Sequence, residues 1–193
     1  MQGDAQAARY PVAVRDGARR TLDQRLALRF PRLIARWQQL ISRLPPGSRL
    51  RQASLVRAVR YAAEAYNRRD LDVVVAGYHP EIEYCPAQSW VDAGFFEPVY
   101  RGPDGYRDYV AATAEVFGGE VYFKPFEIVD LADRMVILAT VPMRAQASGV
   151  PLTESFAYVS TIRDGLVVRM QEYYDHREAL MSVGLGESPA EPS

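Results

Sequence analysis

The sequence predicts an α+β fold. The expected form is a cone-shaped, strongly curved antiparallel sheet with helices packed on its concave side, preceded by an N-terminal helical extension. Three observations point there. Apolar residues recur at helical spacing up to Gly118-Gly119 and at alternate positions beyond it, so the hydrophobic period switches from 3.6 to 2. The order of elements is helix, helix, strand, helix, then four consecutive strands, which is the α+β pattern. Asp164-Gly165, set between two alternating runs, is a two-residue hairpin signal.

The elements follow in order. Residues 1–20 carry no clear periodicity and are expected to be disordered or weakly structured. Residues 21–50 form a basic amphipathic helical arm. Thr21 and Gln24 have the spacing of a capping box. Leu22, Leu26, Phe30, Leu33, Ile34, Trp37, Leu40, Ile41 and Leu44 then make an apolar stripe. Pro31 divides the arm by serving as the first-turn residue of a second helix, and Pro45-Pro46-Gly47 stops it. A stripe this apolar should pack, either on the domain's own surface or on a second subunit.

The domain proper is expected at 51–185. Ser48 can cap a helix with Leu55, Val59, Ala62 and Tyr66 on one side. A short helix is expected from Leu71 to Tyr78. His79-Pro80 forces extended backbone, His79 reads as a surface or capping group, and Glu81–Pro86 reads as a strand. An aromatic loop spans 87–102. Pro103 opens a helix with Tyr106, Tyr109, Val110, Thr113, Val116 and Phe117 on one side, ended by Gly118-Gly119. Strands are expected at 121–131, 134–146, 153–163 and 166–175, with turns at Ala132-Asp133, Ser148-Gly149 and Asp164-Gly165. A short helix from His176 to about Val183 closes the fold, and 186–193 is expected to be a flexible tail.

Composition narrows the function classes. The chain has 193 residues, 48% hydrophobic and 24% charged, as expected for one folded domain plus an extension. No apolar run approaches the roughly 18 residues a membrane span needs. Cys85 is the only cysteine and there are two histidines, too few for an internal disulfide or a Cys-based zinc site. No metal and no cofactor are expected. The Arg-rich start lacks an apolar signal region, so a cytoplasmic location is expected. Charge is uneven: residues 1–51 are net +8 and residues 52–193 net −9. The basic part lacks the aromatic interleaving or dense basic run that nucleic acid would need. Neither nucleic acid nor membrane is an expected partner.

Four separated stretches carry a family resemblance: A-Y-N-R-R-D-L-D (65–72), H-P-E-I-E-Y (79–84), V-Y-R-G-P-D-G-Y-R-D-Y (99–109) and I-R-D-G-L-V-V-R-M-Q-E-Y-Y-D-H-R-E-A-L (162–180). In this order they resemble SnoaL-like proteins of the nuclear transport factor 2-like superfamily, over about residues 52–185. The arm resembles extensions of some bacterial members. The resemblance implies a cone with an interior pocket and a homodimer. It leaves activity open, because members include polyketide cyclases, a steroid isomerase, limonene epoxide hydrolase and proteins of unknown activity.

The final strand shows what the pocket would contain. Val168, Met170, Glu172 and Tyr174 share one face, and Val167, Arg169, Gln171, Tyr173 and Asp175 the other. The first face is mainly apolar and suits the cone interior. Glu172 would there be desolvated, with a raised pKa suited to acid/base work near neutral pH. The resemblance places Glu172 at a catalytic carboxylate of limonene epoxide hydrolase, and Tyr84 at a tyrosine that helps hold its attacking water. It also places Ala139 and Val141 where that enzyme has an arginine and an aspartate, so epoxide hydrolysis is not expected.

Glu172 and Tyr84 are therefore the candidate catalytic residues. Trp90, Phe156, Tyr158, Met170 and Tyr174 are the candidate contacts to a small hydrophobic molecule. The expected function is a SnoaL-like small-molecule pocket protein, with enzyme activity left open; the enzymatic form would be a cofactor-independent cyclase or isomerase acting on a small apolar substrate through a buried carboxylate. The alternative is a non-catalytic hydrophobic-ligand-binding or dimerisation module, with Glu172 a structural carboxylate bonded to a tyrosine or an arginine of the arm. Asp175–His176 looks like a catalytic pair. Asp175 with Glu178 instead has N-cap spacing, which makes His176 the first, exposed residue of a helix.

Overall fold

The computed structural model describes residues 7–15, 19–118, 121–144 and 151–186. The chain runs β1 (Ala8–Pro11), α1 (Leu22–Arg29), α2 (Pro31–Ser42), α3 (Arg49–Asn67), α4 (Leu71–Val75), β2 (Tyr78–Cys85), α5 (Gln88–Asp92), β3 (Tyr100–Arg101), α6 (Gly102–Phe117), β4 (Lys124–Asp130), β5 (Arg134–Arg144), β6 (Pro151–Arg163), β7 (Leu166–Tyr173) and α7 (His176–Ser182). The α+β class holds: one seven-stranded sheet in the order β1-β4-β5-β6-β7-β2-β3, with helices against it. The turn at Ser148-Gly149 and the tail from residue 187 lie outside the described residues.

Two features depart from the sequence reading. Residues 8–11 are not weakly structured. They form β1, paired antiparallel with β4 from Ala8↔Asp130 to Pro11↔Glu127. β4 would otherwise leave an open edge, and an edge recruits whatever extended segment reaches it. The sheet is also not wholly antiparallel, since β2 runs parallel to β7, with Tyr84 beside Met170.

Strands β4 to β6 are buried on both faces, so alternate residues join different cores. Ile128, Met135 and Ile137 meet Val59 of α3, together with Tyr10 and Val12. Val129, Val136, Leu138 and Ala157 meet Ala179, Leu180 and Val183 at the C-terminal end. Thus α3 and α7 cover opposite faces. The third core, around Tyr84, Tyr106, Tyr109 and Met170, joins α6 to β2 and β7.

Local signals explain the helix ends. The Thr21 side chain accepts from the Gln24 backbone N–H, and the Gln24 side chain accepts from the Thr21 N–H, completing the capping box. Pro31 is the first residue of α2. Gly118 ends α6 in the left-handed region at φ 63°. The Asp175 side chain accepts from the N–H groups of Arg177 and Glu178 and caps α7.

The arm docks by its polar side. Arg51 is 1% exposed and forks onto Asp130 of β4 through two hydrogen bonds of 2.7 Å. It also donates to the carbonyls of Ser42, Leu44 and Ala132. Gln24, 2% exposed, donates to the carbonyl of Tyr61 and accepts from Arg68. Asp70 accepts from Arg20 and Arg68. Within one chain the apolar stripe stays largely uncovered. Ile41 is buried, but Leu22 is 74% exposed and Leu33 65%.

α2 lies over the β6–β7 turn, where the Gln39 side chain donates to Asp164 at 3.0 Å. Gly165 occupies the left-handed region at φ 79°, and a Cβ there would sit 2.5 Å from the Gln38 backbone carbon. Gly165→Ala is therefore expected to lift α2 from the turn and cost about 1–3 kcal/mol. Urea unfolding checks this, and an unchanged midpoint would mean that α2 is not seated there.

Candidate active site

Glu172 stands on the concave face of β7, opposite Tyr158 of β6. It is 2% exposed. One carboxylate oxygen, Oε2, accepts hydrogen bonds from the hydroxyls of Tyr84 on β2 and Tyr109 on α6, both at 2.7 Å. These lengths are ordinary for O–H donors to a carboxylate. The Tyr174 hydroxyl is a third phenol bearing on the group. Three elements thus converge on one acid. Strand alternation puts Tyr84 and Glu172 on the same sheet face, and the helical repeat puts Tyr106, Tyr109 and Thr113 on the side of α6 that meets it.

Burial pushes the Glu172 carboxyl above its ordinary range, and the hydrogen bonds from Tyr109, Tyr84 and Tyr174 pull back without cancelling the rise. Burial and the neighbouring carboxylate push Tyr84, Tyr109 and Tyr158 far above the usual phenol range. These tyrosines remain protonated donors at any physiological pH. The site therefore combines a carboxyl group able to exchange a proton with phenols able only to donate hydrogen bonds.

The carboxylate lines a cavity of about 20 Å³, room for a single water. Tyr66, Tyr106, Phe117, Phe123 and Val141 share the lining. Of the candidate contacts, Phe156, Tyr158 and Tyr174 line this cavity with Glu172 and Tyr84. Trp90 and Met170 do not. Trp90 packs edge-on against Phe95 and Phe117 and lies 5.7 Å from Tyr174, as part of the roof. Met170 lies in the core beneath, with its sulfur 3.9 Å from the Tyr78 hydroxyl.

Tyr109 is the principal site residue that the sequence reading missed. Its signal was present, as a tyrosine three residues from Tyr106 on one side of the helix, but that side was given no role in the site. His176 is not exposed as expected. Its Nε2 lies 3.0 Å from the Ala139 carbonyl oxygen and 2.9 Å from that of Phe156, and its ring meets Phe126. The first turn of α7 folds back over the sheet and directs the imidazole onto β5 and β6. Asp175 and His176 thus serve the helix cap and the strand pair. His79 accepts from the Glu81 N–H, a local turn contact. Ala139 and Val141 are both buried and apolar. Among the described residues no group of three His, Cys, Asp or Glu side chains is placed to hold a metal ion, and no described helix is long and apolar enough to cross a membrane.

The raised carboxyl has a consequence for stability. The folded state holds the Glu172 proton more tightly than the unfolded chain, whose carboxyl titrates near 4.5. The stabilisation is fully present below that value and is lost as pH rises through the higher folded pKa. Glu172→Gln imitates the protonated acid. The melting temperature of Glu172→Gln is therefore expected to rise relative to wild type between pH 4 and neutrality. A difference that stays constant would contradict the desolvated carboxyl.

A curved, unclosed sheet with helices against it is the fold of nuclear transport factor 2-like proteins. The chain belongs to the SnoaL-like domain family, whose model matches residues 58–170. Solved structures agree on the fold. An NTF2-like protein of unknown function from Burkholderia pseudomallei is 23% identical, with TM-score 0.54 over 66% of this chain and 95% of its own. IdmH from Streptomyces antibioticus, a proposed polyketide cyclase, is 18% identical, with TM-score 0.52 over 66% and 96%. TerC, co-crystallised with polyporic acid, is 25% identical, with TM-score 0.55 over 62% and 90%. No curated protein matches the chain.

Proposed function

We propose that the chain is a cofactor-independent enzyme of the cyclase or isomerase type. It would move a proton at a carbon acid in a small, largely apolar substrate, with Glu172 as the acid/base. The observation that carries this reading is the Glu172 carboxyl, desolvated at the wall of the cavity and held by two phenol donors on the same oxygen. As base, Glu172 takes the proton from a carbon next to a carbonyl, and the electron pair moves onto the carbonyl oxygen. Once Glu172 is protonated it accepts hydrogen bonds poorly. The Tyr84 and Tyr109 hydroxyls are then free to donate to the new enolate oxygen. Return of the proton to a different carbon completes an isomerisation; attack of the enolate carbon on a second carbonyl, whose oxygen then takes the proton from Glu172, completes a ring closure, and neither needs a cofactor.

Two observations support the substrate class. The cavity wall is aromatic and aliphatic apart from phenol hydroxyls, Thr113 and Glu172. The TerC structure contains polyporic acid, so a fold of this kind accommodates a small organic acid. A cavity of about 20 Å³ is far below substrate size, so the roof formed by α5 and the segment up to β3, carrying Trp90, Phe95 and Phe96, must open on binding.

The small cavity also favours a second reading, in which Glu172 only ties β7 to β2 and α6 through its tyrosines. Solvent-exchange NMR in D₂O separates the two. Enolisable aromatic ketones and β-ketoesters are incubated with the protein, and deuterium uptake at the α-carbon is followed. The enzyme reading expects uptake above buffer for at least one compound class, abolished in Glu172→Gln. No uptake across the panel would leave the structural reading standing.

A further inference from the structure

We propose that the outer face of the arm is a self-association surface, occupied by the same face of a second copy of this chain. The arm turns its polar residues inward and its apolar ones out. Leu22, Leu26, Phe30, Leu33, Trp37 and Leu40 are each about half exposed or more, on successive turns of α1 and α2. Gln24 of the arm, and Arg51 of α3 that donates to the arm's Ser42 and Leu44 carbonyls, are almost fully buried. The orientation is therefore anchored, and the stripe cannot roll inward without breaking the hydrogen bonds from Arg51 to the Ser42 and Leu44 carbonyls.

The size of the face fits such a partner. Six large side chains at these exposures present roughly 600 Å² of apolar surface, the upper end of what a monomer leaves in water. Two such faces together bury about 1,200 Å², where specific protein interfaces begin. An isologous pair needs only one surface that complements itself.

Charge argues against a membrane. Arg25, Arg29 and Arg36 flank the stripe, and among the described residues none of the three pairs with a carboxylate. The body carries the opposite charge, net −9 against +8 for residues 1–51, with exposed acids such as Asp108 and Glu115 on α6. A second copy supplies the matching apolar face. An anionic lipid surface would accept the arm but repel the body.

The test is sedimentation of the full chain from micromolar to sub-millimolar concentration. Wild type is expected at twice the chain mass. Leu33→Glu combined with Trp37→Glu is expected to weaken self-association by about a hundredfold or more, with an unchanged circular dichroism spectrum, because both positions face solvent within one chain. The chain has two tryptophans. In a Trp90→Phe background Trp37 is therefore the only reporter, and its emission is expected to shift red on dilution. Wild type monomeric throughout the range would overturn the proposal. So would a dimer that persists in the double variant, or a monomeric wild type that floats with phosphatidylglycerol vesicles.

Discussion

Arg51→Ala is expected to remove about 3–5 kcal/mol of folding stability, enough to unfold many single domains. Asp130 is 0% exposed, and its two oxygens receive the Arg51 guanidinium at 2.7 Å each. Without the arginine a charge stays buried, and among the described residues the Ala132 N–H is its one further donor. Three carbonyls, those of Ser42, Leu44 and Ala132, lose the same partner and cannot all be rehydrated in place. Arg51→Lys is expected to recover only part of the loss, since an ammonium cannot reproduce the fork. Arg51→Met with Asp130→Leu is expected to recover more than Lys does, because it removes both charges instead of orphaning one. Urea unfolding measures all three. A loss below about 1 kcal/mol for Arg51→Ala would show that the arm is not held by this pair.

The second large effect concerns chemistry. Glu172→Gln is expected to lower α-carbon exchange by about 10²–10⁴-fold, the range for loss of a positioned general acid/base. Gln keeps the size of Glu and still accepts a hydrogen bond, so the tyrosine contacts can persist while proton transfer cannot. Tyr84→Phe and Tyr109→Phe are expected to cost less individually, about tenfold to a hundredfold, since each removes one of two donors. A Glu172→Gln protein that melts no lower than wild type but loses exchange assigns the role to chemistry. One that keeps full exchange removes Glu172 from the mechanism.

Much of this was readable from local chemistry. The capping box at Thr21 and Gln24, Pro31 at the start of α2, the Asp164-Gly165 turn and the Asp175 cap each rest on contacts within a few residues, where sequence and geometry are tightly linked. Alternation along β7 placed Glu172 inward, and the structure agrees. What was not readable depends on long-range pairing. Ala8–Pro11 is too short and too polar to announce a strand, and it is one only because β4 offers an edge. The parallel match of β2 and β7 joins residues more than eighty positions apart and leaves no local trace. The arm's orientation inverted the usual rule because Gln24 finds buried partners inside and Arg51 of α3 holds the arm's Ser42 and Leu44 carbonyls, which a pattern of apolar and polar letters does not register. Tyr109 was hidden for a similar reason. On a helix, a tyrosine directed at the core and one directed at an acid look the same.

The most direct test of the central claim is the pH dependence of α-carbon exchange catalysed by the wild-type protein. If Glu172 is a desolvated base in its tyrosine cradle, the rate rises with pH through a single ionisation clearly above the ordinary 4.5 of a glutamate, and that ionisation is absent from whatever activity remains in Glu172→Gln. An ionisation at or below 4.5, or a profile that Glu172→Gln leaves unchanged, would contradict the account.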